Sequence, residues 1–188
     1  MSNASTNWSM VKISCSVPGF QPRKAKKLSI ASGRNPADVQ LLLATKTVPA
    51  EKIRIAIEAG ETLMGENKMQ EFRDKDAALK NLPIERHFIG HLQTNKVKDV
   101  LKYVTCIQSL DRINLADELH KQLQNQNRKL DVFVQVNTSY EESKFGLDEN
   151  ELKTLLTSDA LQNLQNIRIT GLMGMATFTD SNAQIKKE

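Results

Sequence analysis

The chain has 188 residues, 39% hydrophobic and 26% charged, which is the composition of a soluble globular protein and enough length for one ordinary core. No stretch approaches the roughly 18 consecutive apolar residues of a membrane span, so no membrane segment is expected. Two cysteines, Cys15 and Cys106, cannot build a disulfide framework, which points to a reducing, cytoplasmic compartment. The net charge of +4 is unevenly spread: six basic residues and no acid fall in residues 1–37, so the rest of the chain sums to −2 and gives no support to a nucleic-acid partner.

Residues 1–22 are rich in serine, free of acids and without a sustained hydrophobic period. They are expected to form a divergent, poorly ordered N-terminal segment; the composition is also that of an organelle transit peptide, while Ser2-Asn3-Ala4 has the look of a vector remnant. Residues 23–188 are expected to form one domain. A short helix over 23–32 puts Ala25 and Leu28 on one face, with Gly33 at its C-terminal end. Val39–Thr45 is an apolar run suited to a buried strand. Pro49 opens a helix with Ile53, Ala56 and Ile57 on its stripe and Gly60 at its end. The rhythm then repeats. Strands are predicted over 62–64, 87–89, 104–108, 130–136 and 167–173, and helices over 68–79, 95–102, from an Asp111 cap through Leu123, and over 149–157. Residues 179–188 read as a polar tail.

Strands alternating with helices define βα units and a parallel sheet. Repeated right-handed crossovers give either a doubly wound sheet or a closed barrel. No G-x-G-x-x-G follows the first strand, which weakens the dinucleotide-binding option, so the predicted class is α/β of the (β/α)8 TIM-barrel type. Such a barrel has eight strands and about 250 residues; with about six of eight strands present, it is expected to be incomplete at the C-terminus. An open sheet exposes unpaired N–H and C=O groups at its edges, and an oligomer formed through the incomplete sheet is the expected consequence.

In a barrel, the residues that follow the strands line the rim where active sites sit. Lys46 ends the first predicted strand on the same face as Leu42 and Ala44. An amine above an apolar interior is desolvated and loses its charge more readily, and a neutral amine is what condensation with an aldehyde requires. A solvated lysine at the start of a loop is the other reading of the same position. Gly65-Glu66-Asn67 follows the next strand at the same rim: Asn67 caps the following helix, or the amide or the Glu66 carboxylate faces a ligand, and the two readings are not exclusive. His87 and His91 lie on a strand and its loop and share no face, and no carboxylate or cysteine completes a ligand set, so no metal site is expected. His120 is read as a surface residue and Cys106 as a small core residue. The segments from Asn137 to Gly146 and from Gly171 to Ala176 follow later strands at the same rim, and their spacing is not that of a phosphate-gripping loop.

Taken together, LLLATKTVPAEKI, GENKMQE, HFIGHLQTNK, SLDR, VQVNTSYEESKFGL and ITGLMGMATF, in this order across about residues 33–178, closely resemble the pyridoxal 5′-phosphate homeostasis protein family, whose barrel is similar to the N-terminal domain of alanine racemase. The resemblance implies a pyridoxal 5′-phosphate (PLP) binding protein of intracellular vitamin B6 and amino-acid homeostasis. It implies that PLP is held as an imine on Lys46, with Asn67 against the cofactor ring. No catalytic residue follows from it, because the family is not known for robust turnover. An imine-forming lysine alone does not make a racemase, since α-proton chemistry also needs a positioned acid/base pair. A PLP-dependent racemase-like enzyme and a truncated product with impaired PLP binding are the alternatives.

Three features depart from the family pattern. Arg86 stands where the family has an aromatic before HFIG, and residues 1–22 do not resemble the family. The family's Gly-Met-Ser and Arg-Ile-Gly segments, which supply most of its phosphate cradle, are missing from the sequence. Charge-assisted phosphate contacts are each worth about 1.5–3 kcal/mol, so weaker cofactor affinity is expected.

Overall fold

Apolar runs and amphipathic stretches alternate as strands and helices in the computed structural model, which describes residues 11–15 (main chain), 27, 29–139, 145–177 and 179–188. The chain divides into two units, residues 1–86 and 87–188.

The first unit contains three parallel strands, β1 (Val11–Cys15), β2 (Val39–Ala44) and β3 (Leu63–Glu66). β1 pairs with β2 from Val11↔Val39 to Cys15↔Leu43, so five residues of the segment read from sequence as poorly ordered have a strand position. Its alternation of apolar and polar residues is the period of a strand with two unlike faces, too short to stand out from sequence. The other residues of 1–22 lie outside the described residues, as does most of the predicted 23–32 helix, of which 27 and 29–31 are helical. Helix α1 (Ala50–Glu58) starts after Pro49 and ends at Gly60, whose φ of 101° suits glycine and brings its N–H onto the Ile57 carbonyl at 2.9 Å. Helix α2 is Met69–Leu79. Ile53, Met64 and Leu79 are buried together, with Val48, Ala50, Ile57, Leu82 and Ile84 packed against them. β3 begins one residue later than predicted and runs two further, which places Glu66 in the strand rather than in the following loop.

The second unit takes the last two residues of β4 (Glu85–Phe88) and continues with β5 (Cys106–Leu110), β6 (Leu130–Val136) and β7 (Ile167–Gly174), each parallel to the one before it. All five residues of β5 are buried, as expected of a strand covered on both faces. A 3-10 turn (Thr94–Lys96) leads into α3 (Val97–Val100), and α4 (Ile113–Asn125), α5 (Glu149–Thr157), α6 (Asp159–Gln162) and α7 (Asn182–Lys187) follow. α5 carries the capping box its sequence implies: Asp148 accepts from the Asn150 and Glu151 N–H groups, and Glu151 accepts from the Asp148 N–H. The short helices α6 and α7 escaped the sequence reading because four and six residues show no repeated stripe. Each starts from a serine cap, Ser158 and Ser181.

The core of this unit is built on α4. Leu115, Ala116, Leu119 and Leu123 recur at helical spacing and are fully buried, as are Val97, Val100, Leu101, Ile107, Leu110, Val132 and Val134. Cys106 is buried, while His120 is half-buried and not on the surface: its Nδ1 accepts from the Asn166 N–H at 3.4 Å. Leu119→Ala is expected to cost about 2–5 kcal/mol, read as a lower midpoint in denaturant unfolding of the chain.

Candidate cofactor site

Ala44 pairs with Gly65, and the Thr45 N–H donates to the Gly65 carbonyl at 3.0 Å. Lys46 therefore follows the C-terminal end of β2 and Asn67 that of β3, at the same end of two adjacent parallel strands. The chain leaves β2 through a tight turn, Thr45-Lys46-Thr47-Val48, closed by the Val48 N–H on the Thr45 carbonyl at 3.0 Å. Lys46 occupies the second position and Thr47 the third, where φ is +63°. A positive φ there is the type II pattern, a place for glycine, and a β-branched residue in it is strained.

Lys46 is exposed, and its amine has no hydrogen bond or ion pair among the described residues. This corrects the expectation of a desolvated amine: the turn carries Lys46 off the end of the strand and leaves the side chain in solvent. Asn67 is half-buried. Its side chain does not cap α2, whose N-cap is Lys68 without a side-chain bond, so the capping role weighed for Asn67 is not the one it has.

Under this pair lies a buried ionic cluster. Glu66 is fully buried and Lys75, on α2, is 8% exposed. The Lys75 ammonium donates to Glu66 Oε1 at 2.8 Å, to Glu71 Oε2 at 2.6 Å and to the Thr45 carbonyl at 2.8 Å, which uses all three of its protons. Thr45 Oγ1 donates to the same Glu66 oxygen at 2.6 Å. Glu66 Oε2 is buried with no partner among the described residues. Burial pushes the Glu66 carboxyl above its ordinary value, against the hydrogen bonds from Lys75 and Thr45. The Lys75 hydrogen bond holds Glu71 below its ordinary value of 4.5.

Sequence reasoning weighed the Glu66 carboxylate as a ligand group and passed over Glu71 and Lys75. A signal was present: Phe72, Lys75 and Leu79 recur at 3 and 4 residues along α2, and all three are buried. A lysine in an apolar stripe requires a buried carboxylate to answer it. Arg86, the departure from the family's aromatic, is buried as well and donates to Asp76 of the same helix at 2.6 Å.

In the second unit, the residues that follow the strands bond to one another. The His91 ring stacks on Phe145 at 3.9 Å between centroids, and His91 Nδ1 lies 3.3 Å from Asp111. Asp111 also pairs with Arg112, which donates to the Leu92 carbonyl at 2.7 Å. Asp111 therefore does not cap α4, whose N-cap is Arg112. Gln108 Nε2 donates to His87 Nδ1 at 2.7 Å, deep in the sheet. Gly146 lies so close to β6 that a Cβ there would come within 2.7 Å of the Asn137 nitrogen, and Gln135 fixes the loop by donating to the Phe145 carbonyl at 3.1 Å. Among the described residues no group of three or more His, Cys, Asp or Glu side chains could hold a metal ion.

The parallel βα units are those of an α/β protein, and residues 32–188 match the family "Alanine racemase, N-terminal domain". Over 163 residues the chain is 40% identical to a pyridoxal phosphate homeostasis protein of Aquifex aeolicus, an alignment covering 87% of this chain and 71% of the relative. It is 42% identical over 147 residues to the protein of the same name from Pasteurella multocida, covering 77% of this chain and 62% of that one. Among solved structures, PipY of Synechococcus elongatus with PLP bound superposes with a TM-score of 0.72 at 31% identity, covering 88% of this chain and 76% of that protein. The chain belongs to the pyridoxal phosphate homeostasis protein family, whose fold is the (β/α)8-type barrel of the alanine racemase N-terminal domain.

The ionic cluster gives the first unit a definite acid response. Because Glu71 is held low, its contribution is complete above about 4.5 and is lost as pH falls through its lowered value; Glu66, raised by burial, acts in the opposite sense. Glu71→Gln is therefore expected to flatten the acid limb of a melting-temperature against pH profile relative to the unaltered chain.

Proposed function

We propose that this chain binds PLP through Lys46, with Asn67 beside the bound ring, and serves vitamin B6 and amino-acid homeostasis inside the cell without robust turnover of its own. The observation that carries the reading is the placement of Lys46 and Asn67 at neighbouring strand ends in a chain that is 40% identical to a PLP homeostasis protein.

The donor chemistry fits an aldehyde cofactor. Lys46 supplies an amine that no carboxylate engages among the described residues. As the neutral amine, Lys46 bonds the aldehyde carbon through nitrogen, and its two nitrogen protons leave with the aldehyde oxygen as water. Once bound, PLP supplies an electron sink for carbanion chemistry. What the chain places beside Lys46 does not exploit that sink. The carboxylates of the unit described above, Glu66 and Glu71, are both bonded to Lys75, and Glu66 is fully buried, which does not suit either to shuttle an α-proton. This favours holding the cofactor over racemising an amino acid on it. Incubation with PLP and L-alanine is expected to yield no D-alanine above the level of free PLP, and turnover above that level would favour the racemase-like reading.

The cellular location follows the same line. No helix among the described residues is long and apolar enough to cross a membrane, and the sequence carries two cysteines, too few for a disulfide framework; both support a cytoplasmic protein whose small-molecule partner is PLP. β7 pairs with β6 alone among the described residues, which supports assembly through an open sheet edge.

The decisive experiment is a spectrophotometric titration with PLP. The unaltered chain is expected to develop the absorbance band of a lysine-linked cofactor near the border of the visible and ultraviolet, and Lys46→Ala to abolish it. Borohydride reduction followed by peptide mass spectrometry should place the label on Lys46. A band that survives Lys46→Ala, or a label on another lysine, overturns the assignment.

A further inference from the structure

The geometry points to Lys75 and Glu71 as positioning residues that clamp the turn bearing Lys46, an inference that rests on Lys46 being the PLP-linked amine. The carbonyl of the Thr45–Lys46 peptide accepts from the Lys75 ammonium at 2.8 Å, and Glu71 steers that ammonium by accepting from it. The two side chains lie one helical turn apart on α2 and bond each other at 2.6 Å, so they act as a single unit. Glu66 anchors that unit from the neighbouring strand, through Lys75 at 2.8 Å and Thr45 at 2.6 Å.

Three physical points make the cluster a positioning device. First, the turn it grips is strained. Thr47 has φ of +63°, a conformation that costs a β-branched residue about 1–3 kcal/mol and persists only where its surroundings over-determine it. The bond from Lys75 on α2 is the over-determining contact. Second, stability alone is a poor reason for the arrangement. A buried ion pair is often matched or exceeded by apolar residues of the same volume. Glu66 Oε2 is left buried without a partner among the described residues, which adds a desolvation cost. Third, what the clamp holds is the main chain of Lys46 and nothing of its side chain. It leaves the amine free to react while fixing the point from which that side chain extends. Without it the turn is free to relax Thr47 toward negative φ, which shifts the point from which the Lys46 side chain extends.

The test compares Glu71→Gln with Glu71→Leu. Glutamine keeps an oxygen for the Lys75 ammonium; leucine keeps the bulk and removes the acceptor. PLP titration by absorbance, borohydride trapping at Lys46 and the melting temperature are read for both, with Lys46→Ala as the control for the site itself. Glu71→Leu is expected to weaken PLP linkage at Lys46 by about tenfold. Glu71→Gln should recover most of that loss, even where the two variants melt at the same temperature. Amide hydrogen exchange over residues 45–48, measured without PLP, should be faster in Glu71→Leu than in Glu71→Gln. Lys75→Met should lose PLP linkage to a similar or greater degree; if it does not fold, the Glu71 pair decides. Equal PLP linkage in both Glu71 variants, or equal exchange over 45–48, overturns the clamp while the loss of the band in Lys46→Ala leaves the cofactor assignment standing. Persistence of the band in Lys46→Ala overturns both.

Discussion

In each unit the strands run parallel, and a parallel strand cannot be joined to its neighbour by a hairpin. The chain must return through a helix to the same starting end. Each strand therefore delivers its last residues to one edge of the sheet, and each following helix is laid against that sheet. In the first unit this constraint does two things at once. It brings Lys46 and Asn67, 21 residues apart in sequence, to neighbouring strand ends. It also lays α2 where Lys75, itself bonded to Glu71, reaches the turn that carries Lys46. The lysine at the strand end and the side chain that bonds its turn both follow from one topological rule.

The charge arrangement around that turn is asymmetric. Lys75 is buried and has all three ammonium protons bonded, whereas Lys46 is exposed and unengaged among the described residues. A buried ammonium must be answered by carboxylates or it will lose its proton, and Glu66 and Glu71 answer it. Lys75 is thereby fixed in the interior by compensated charge, while the Lys46 side chain stands in solvent with no such partner among the described residues.

Much of the architecture was legible from sequence because burial leaves a period. Leu130–Val136 and Glu149–Thr157 lie where the apolar run and the capping residues put them, and the 11-residue α2 and 13-residue α4 begin within two residues of expectation. The misses have physical causes. β1 is five residues long, and α6 and α7 are four and six, so none spans enough of a repeat to be read. Asp111 looked like a cap because aspartate before an apolar stripe usually is one; it is drawn instead into pairs with His91 and Arg112, which sequence spacing does not reveal.

Local pattern and motif sufficed for the α/β class, for the family, and for Lys46 and Asn67 as the residues to watch, since those depend on periodicity and on a short string of residues at a strand end. Only the tertiary structure decided that Lys46 stands in solvent on a strained turn, that Glu66 is buried beneath it, and that Lys75, paired with Glu66 and Glu71, bonds the Thr45 carbonyl of that turn. Those facts depend on which side chains meet across 9 to 30 residues of sequence, as between Glu66 and Lys75 or Thr45 and Lys75. Helix and strand periods carry no record of such meetings: they tell which face of an element is buried, and the partner on the far side of that burial is set by how the elements pack.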